Sequence, residues 1–146
     1  MSTEDNKATV RRAMEEGWNR GNVAVFDEQN APNWVYHDPG LPQVRTVEDY
    51  KRWVTETRNA FPDIHGTIDD LIAEGDQVVV RYTIRGTNTG DFVTPMPLPA
   101  TGKQVSVTAI GIIRFAGGKG VEVWNQTDTL GIFQQLGLIP VPGQAG

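Results

Sequence analysis

The chain has 146 residues, the length of one ordinary domain, and can bury about two-thirds of the surface that its unfolded form exposes. Its 13 Lys and Arg against 18 Asp and Glu give a formal net charge of −5, and no segment has the clustered basic residues of a nucleic-acid-binding protein. It has no cysteine, which excludes disulfides, thiolate metal sites and a cysteine nucleophile.

The N-terminal segment is polar and charged, and no stretch is apolar enough to cross a membrane or to act as a secretion signal. We therefore expect a cytoplasmic protein without a membrane or nucleic-acid partner. Neither a linker nor an internal repeat divides the sequence. It predicts one domain over residues 1–146, with frayed ends at 1–4 and 141–146.

Three segments of the N-terminal half are predicted to be helical. The first, capped by Ser2 or Thr3, has an apolar stripe with helical spacing: Val10, Ala13, Met14, Gly17 and Trp18. A short second helix over residues 23–29 carries Phe26. The third starts at Thr46 and ends at Phe61-Pro62, because proline disfavours helical geometry in the residue before it.

The remaining segments favour strands. A short strand over residues 34–37 ends in a turn, and four alternating segments predict two hairpins, 64–73 with 77–85 and 104–115 with 121–127. Residues 91–102 contain three prolines and are predicted to be a loop, and 130–136 form a closing helix. Helices followed by antiparallel strands indicate an α+β fold, a cone-shaped curved antiparallel sheet packed against three helices. Such a cone offers a pocket.

The last strand is the most informative segment for chemistry. Four residues alternate onto one face, which we expect to line the pocket: Glu122, Trp124, Gln126 and Asp128. Burial beside Trp124 would raise the pKa of Asp128 and suit its carboxyl group to acid/base catalysis, with Trp124 and Gln126 contacting the substrate. Alternatively, Asp128 caps the closing helix. The residues alone favour the two interpretations equally.

Several other residues are candidates for substrate binding. Arg114 either pairs with Asp128 across neighbouring strands or points to solvent. His37 and Asp38 follow the first strand near the expected pocket mouth, where they either bind the substrate or form a turn. Trp34 is predicted to pack in the core and is the tryptophan best placed to reach a planar ligand.

The proline-rich loop is apolar at Met96 and Leu98, so these side chains either line the pocket entrance or pack against a second subunit. We expect a homodimer. No metal site and no cofactor is predicted, because His37 and His65 lie on separate segments without a second ligand at metal spacing. The nucleotide-binding and nucleophile motifs that would indicate other chemistries do not occur.

Motifs along nearly the whole chain resemble those of the SnoaL-like polyketide cyclases. They stand in that family's order and spacing: Ala60-Phe61-Pro62-Asp63, Leu71-Ile72-Ala73-Glu74-Gly75-Asp76, Thr87-Asn88-Thr89-Gly90-Asp91-Phe92, Pro99-Ala100-Thr101-Gly102-Lys103, Val121-Glu122-Val123-Trp124, Asp128-Thr129-Leu130-Gly131 and Gln134-Gln135-Leu136-Gly137.

The resemblance implies the NTF2-like cone fold and a ring closure without cofactor or metal. The reaction would be an intramolecular aldol condensation of a hydrophobic, polycyclic polyketide ester, with Asp128 as the acid/base residue. Family members carry histidines where this chain has Val123 and, in the preceding strand, Arg114. Three alternatives stay open: a hydroxylase on the same scaffold, an epoxide hydrolase-like enzyme, and a binding module without catalysis.

Overall fold

A computed structural model describes residues 2–94 and 96–143, which form five strands and four α-helices. The helices are α1 (Thr3–Arg12), α2 (Ala24–Gln29), α3 (Val47–Ala60) and α4 (Thr129–Gln135), and a π-helical segment (Ala13–Asn19) continues α1. The strands are β1 (Asn30–His37), β2 (His65–Glu74), β3 (Gln77–Thr87), β4 (Gln104–Ala116) and β5 (Lys119–Thr127).

The five strands form one sheet in the order β1-β5-β4-β3-β2. Neighbours are antiparallel except at one edge, where β1 pairs parallel to β5 with Tyr36 opposite Val123. The α+β class and the curved sheet are confirmed, and the predicted antiparallel pairing holds for three of the four strand pairs, with β1–β5 as the parallel exception. A parallel neighbour needs a long crossover connection, and here most of the chain lies between β1 and β5.

Helix α1 begins with a capping box. The Ser2 hydroxyl accepts a hydrogen bond from the Asp5 N–H at 3.0 Å, and the Asp5 carboxylate accepts one from the Ser2 N–H at 3.3 Å. Fraying was predicted for residues 1–4, but Thr3 and Glu4 form the first turn of this helix. Residues 141–143 lie outside helices and strands, and Met1 and residues 144–146 lie outside the described part of the chain.

The predicted apolar stripes pack against the concave face of the sheet. Trp18, in the π-helical segment, meets Trp53 of α3 edge to face at 5.1 Å between ring centroids. Gly17, in the same segment, lets the ring of Phe26 pack close to the backbone, because a Cβ at Gly17 would collide with that ring. The core continues through buried side chains of the helices and of β4: Met14, Val25, Val54, Ala60, Phe61, Val105 and Val107.

Alternation along β4 separates the two faces of the sheet. Val105, Val107 and Ala109 are buried on the concave face, whereas Ile110 and Ile112 are exposed on the convex face. The β4–β5 hairpin turns at Gly117 and Gly118, whose φ angles of 57° and 79° suit a two-residue turn. In the described chain, no helix combines the length and apolar character needed to cross a bilayer.

Candidate active site

Two cavities lie between the helices and the concave face of the sheet. The first, of about 110 Å³, is enclosed by α1, the π-helical segment, β1 and the middle of the sheet. The second, of about 100 Å³, lies between α3, the 91–102 loop and the start of α4. Trp18 and Tyr82 line both, so these two side chains stand between the cavities. Each has room for several water molecules.

The linings are uncharged. Among the described residues, no Asp, Glu, His, Lys or Arg side chain lines either cavity. The first cavity is mainly aromatic and aliphatic, with polar atoms from a small set of side chains: Thr9, Gln29, Asn30, Tyr36, Tyr50, Tyr82 and Asn125. Apolar walls with a few polar groups are typical of sites for hydrophobic small molecules.

A buried carboxylate lies in the wall between the two cavities. Asp38 is 6% exposed and accepts hydrogen bonds from the Asn125 amide at 3.0 Å and the Gly40 N–H at 2.9 Å. Longer contacts reach the hydroxyls of Thr127, at 3.4 Å, and Tyr36, at 3.5 Å. Tyr36 and Asn125 line the first cavity, whereas Gly40 and Thr127 line the second. Asp38 is therefore one side chain away from each.

Asn125 links this carboxylate to a tyrosine. The Tyr82 hydroxyl donates to Asn125 Oδ1 at 2.8 Å, and the opposite end of the amide donates to Asp38. Burial, with the negative charge of Asp38, raises the pKa of Tyr82. Burial also raises the pKa of Tyr50 to about 12, although its oxygen accepts a hydrogen bond from the Trp18 indole at 2.9 Å. Both phenols are protonated at neutral pH.

The structure corrects the predicted place of Asp128. Its side chain is exposed, and Oδ1 accepts a hydrogen bond from the Gly131 N–H at 2.9 Å as the N-cap of α4. The buried, desolvated position expected for this carboxylate was wrong. Val123 and Asn125 face the core, so the alternate residues up to Asp128 lie on the opposite face of β5.

Four other predicted site residues also lie on the convex face, which corrects their predicted place in the pocket. Trp124 is 39% exposed, and Gln126 is exposed beside it. His37 stacks on Trp124 and bonds Glu122 at 2.8 Å. Arg114 bonds the other oxygen of Glu122 at 3.2 Å and does not pair with Asp128.

His37 and Arg114, both in hydrogen-bonding contact, lower the pKa of Glu122 below its usual value. These side chains form an ion-paired group on the surface. Because they alternate with inward-facing neighbours on their strands, they turn away from both cavities.

The proline-rich loop contributes different residues from those predicted. Residues 91–102 form a loop, as expected, but Met96 is 49% exposed and neither Met96 nor Leu98 lines a cavity. Leu98 instead pairs with Phe92 through two backbone hydrogen bonds of 2.8 and 3.2 Å. This bridge turns Phe92 and Thr94 toward the second cavity.

Of the nine predicted site residues, Trp34 and Asp38 lie at the cavities. Trp34 lines the first cavity and is 5% exposed. Sequence reasoning missed Tyr50, Tyr82 and Asn125 as site residues. The signal for Asn125 was its alternation with Val121 and Val123, the apolar pair that marks the inward face of the strand.

Comparison with known proteins identifies the family of the chain. The family model of the SnoaL-like polyketide cyclases matches residues 8–136. The chain belongs to this family.

Two curated relatives each carry the name aklanonic acid methyl ester cyclase. DnrD of Streptomyces peucetius is 29% identical over 132 residues, covering 86% of this chain and 87% of DnrD. DauD of Streptomyces sp. strain C5 is 31% identical over 133 residues, covering 86% of this chain and 78% of DauD.

A solved structure extends the comparison. AclR of Streptomyces galilaeus, described as a candidate hydroxylase, superposes with a TM-score of 0.82 and is 27% identical, covering 97% of this chain and 87% of AclR. The SnoaL-like assignment and the α+β cone predicted from the sequence are thereby confirmed.

Proposed function

We propose that the protein is a cofactor-free cyclase-type enzyme that closes a ring in a hydrophobic polyketide ester by intramolecular aldol condensation. The observation that carries the proposal is the buried carboxylate of Asp38 in the wall between two uncharged cavities. A buried carboxylate held by hydrogen bonds beside apolar cavities can accept a proton from a carbon acid away from bulk water. The relatives named as ester cyclases support the same reaction class.

In this proposal Asp38 replaces Asp128 as the acid/base group. Two of its four contacts, those to Thr127 and Tyr36, are at the upper limit of hydrogen-bond length. A substrate C–H group can displace them more easily than the shorter bonds to Asn125 and Gly40. The shorter hydrogen bonds keep the carboxylate oriented while the substrate replaces the longer ones.

Tyr50 is the proposed hydrogen-bond donor to the substrate oxygen. Its phenol oxygen already accepts from the Trp18 indole, so its own proton is directed elsewhere, and the ring lines the first cavity. The raised pKa keeps this proton in place at neutral pH. A phenol that donates to a developing enolate oxygen stabilises the negative charge of the transition state.

The proposed step balances without an oxidant or a metal. Asp38 takes a proton from the carbon next to the ester or ketone carbonyl, and the resulting enolate carbon forms a bond to a second carbonyl carbon of the same molecule. The π electrons of that second carbonyl move to its oxygen, which receives the proton back from Asp38. The protein supplies orientation and one proton shuttle, effects that each contribute several kcal/mol.

The test compares two carboxylates, the buried Asp38 and the exposed Asp128. We expect D38N to lower turnover of a polyketide methyl ester by about 10² to 10⁴-fold, the usual range for general acid/base catalysis. D128N is the matched control, because Asn caps a helix about as well as Asp. We expect it to keep both activity and melting temperature.

Thermal unfolding of both variants separates catalysis from folding. A folded D38N protein with full turnover would refute the role of Asp38. Loss of turnover in a folded D128N protein would return the acid/base role to Asp128.

Hydroxylation is the second candidate function, favoured by the structural similarity to AclR. A cyclase runs at the same rate under argon, whereas a hydroxylase that uses dioxygen stops. An epoxide hydrolase-like reaction has less support, because Arg114 and Gln126, its candidate assisting groups, are on the convex face. If substrate analogues bind and no reaction is found, a binding module is the remaining interpretation.

The homodimer belongs to the same proposal. On the convex face, paired residues of neighbouring strands form a row across the sheet: Ile72, Val79, Ile112, Trp124 and His37. Ile72, Ile112 and Trp124 of this row are exposed, and charges of both signs flank the row at Arg81, Asp70, Arg114 and Glu122. A second copy related by a two-fold axis would cover the row and match these charges. The cytoplasmic location stays a prediction.

A further inference from the structure

The indole of Trp34 is a hydrogen-bond donor without an acceptor. Trp34 is 5% exposed, and in residues 2–94 and 96–143 its Nε1 is the one buried side-chain nitrogen or oxygen that lacks a partner. Trp18, the other tryptophan of the first cavity, donates to Tyr50. A buried unpaired N–H group destabilises the free protein, so such a group is an indication of a ligand atom.

We propose that the Trp34 indole N–H binds a carbonyl oxygen of a planar, multi-ring aromatic ligand in the first cavity. The inference rests on the proposed function in taking this cavity as the substrate site and, for the length of the ligand alone, in placing the reacting carbon at Asp38. The Trp34 hydrogen bond is a second polar contact, distinct from the Asp38 network, and it determines the orientation of the bound ligand.

The neighbouring amides leave this donor to the ligand. Gln29 and Asn30 also line this cavity, and each of their amide nitrogens donates a hydrogen bond to a backbone carbonyl, that of Thr9 at 3.1 Å and that of Phe26 at 2.9 Å. The indole N–H, in contrast, donates to no group among the described residues.

Ring contacts fix the plane of the indole. Trp34 stacks on Tyr36 with 5.7 Å between centroids and an interplanar angle of 25°, and it meets Tyr50 edge to face at 5.4 Å. Aromatic walls of this kind favour flat ligands over bulky aliphatic ones. A rigid donor also selects one position for the oxygen that it binds.

The strand geometry sets the length of the ligand. Trp34 lies within β1 and Asp38 directly follows its last residue, His37, four positions along on the same face, which corresponds to a backbone spacing of about 13 Å at the rise of an extended chain. A molecule that places an oxygen at Trp34 and a reacting carbon at Asp38 must span most of that distance. Several fused rings do so, and a single ring does not.

The test uses two probes of matched shape, 2-acetylnaphthalene with a carbonyl and 2-ethylnaphthalene without one. We expect the ketone to bind about fivefold more tightly to the unmodified protein, the preference that one ordinary hydrogen bond provides. In W34F this preference should fall to about one, while the affinity for 2-ethylnaphthalene changes little. Calorimetry or fluorescence titration measures both affinities.

A second measurement does not require any variant to bind. In spectra of the protein with ¹⁵N-labelled tryptophan, the Trp34 indole resonance should shift with the ketone and not with the hydrocarbon, while the Trp18 resonance serves as the internal control. The other three tryptophans are assigned from single substitutions. An unmoved Trp34 resonance, an equal preference in W34F, or binding of neither probe would overturn the proposal.

The result is independent of the catalytic assignment. D38N should keep the preference for the ketone, because Trp34 and not Asp38 provides it. If D38N remains active but the ketone preference depends on Trp34, the proposed acid/base residue is wrong and the oxygen subsite stands.

Discussion

Adjacent residues on β5 show how differently the two faces of the sheet use polar side chains. Asn125 is buried and bonded on both sides, to Tyr82 and to Asp38. Gln126, its neighbour, is exposed on the convex face. On the buried concave face each polar group needs a hydrogen-bond partner within the protein, because water is excluded. On the exposed convex face water provides that partner. The few polar atoms of the concave face therefore mark the candidate chemistry.

The two faces also differ in charge. The concave side has an uncharged lining with one carboxylate in its wall, whereas the convex side carries an ion-paired group built on Glu122. A charge on the exposed side is screened by solvent and contributes little to stability. Within residues 2–94 and 96–143, Asp38 is the one buried carboxylate, and its hydrogen bonds are shielded from solvent.

The largest effect should appear at high pH, because all three tyrosines face the interior. Burial raises the pKa of Tyr36, Tyr50 and Tyr82, that of Tyr50 to about 12. A raised phenol pKa stabilises the folded state fully below the unfolded value near 10, and this contribution is lost as the pH rises toward 12. For Tyr50 alone it is about 3 kcal/mol.

Ultraviolet absorbance of tyrosinate, followed together with circular dichroism, measures this titration. We expect the absorbance and the loss of structure to change together, above the pH at which free tyrosine ionises. A phenol that ionises near pH 10 in the still-folded protein would contradict the interior placement. In Y50F the alkaline transition should involve two phenols.

A smaller effect is expected from exchanging the neighbouring amides of β5. N125L removes the acceptor of Tyr82 and a donor to Asp38, so we expect a loss of about 2 to 3 kcal/mol in the free energy of unfolding. Q126L on the convex face is the matched control and should change it by less than about 0.5 kcal/mol. Urea unfolding measures both. Equal losses of unfolding free energy in N125L and Q126L would mean that the hydrogen bonds of Asn125 stabilise the fold no more than the exposed amide of Gln126 does.

A substitution in the row of paired residues on the convex face should have the smallest effect on the isolated subunit. It should nevertheless have a measurable effect on dimerisation. I112K places a charge in the middle of the proposed interface and should weaken the dimer by more than about tenfold without unfolding the subunit. L130K, at a leucine on α4 that is 55% exposed against 36% for Ile112, is the control. Sedimentation velocity distinguishes the states. If the unmodified protein is a monomer, the convex face is not a dimer interface.

The sequence predicted the fold better than the site. The stripes of the first and third helices and the two hairpins have strong periodicity, and both were confirmed. The parallel pairing of β1 with β5 could not be predicted, because residues distant in sequence determine it. Local periodicity carries no information about which strands become neighbours.

The site prediction failed through a shift of one residue on β5. The tryptophan and the final carboxylate suggested that Trp124 and Asp128 point inward, whereas the smaller Val123 and Asn125 do. A shift of one position exchanges the faces of a whole strand, so one error displaced several residues together. Trp34 and Asp38 are the predicted residues that lie at the cavities, whereas His37, between them in sequence and also predicted, lies on the convex face.

The uncharged lining of the cavities has a consequence for behaviour in salt. Uptake of a neutral aromatic molecule between such walls involves no exposed ion pair, so added electrolyte should leave it nearly unchanged. Association of two subunits through a surface bearing Arg81, Arg114 and Glu122 should respond to the same electrolyte. The two faces of the sheet should therefore respond differently to ionic strength: ligand binding at the concave face is nearly independent of it, whereas subunit association at the convex face depends on it.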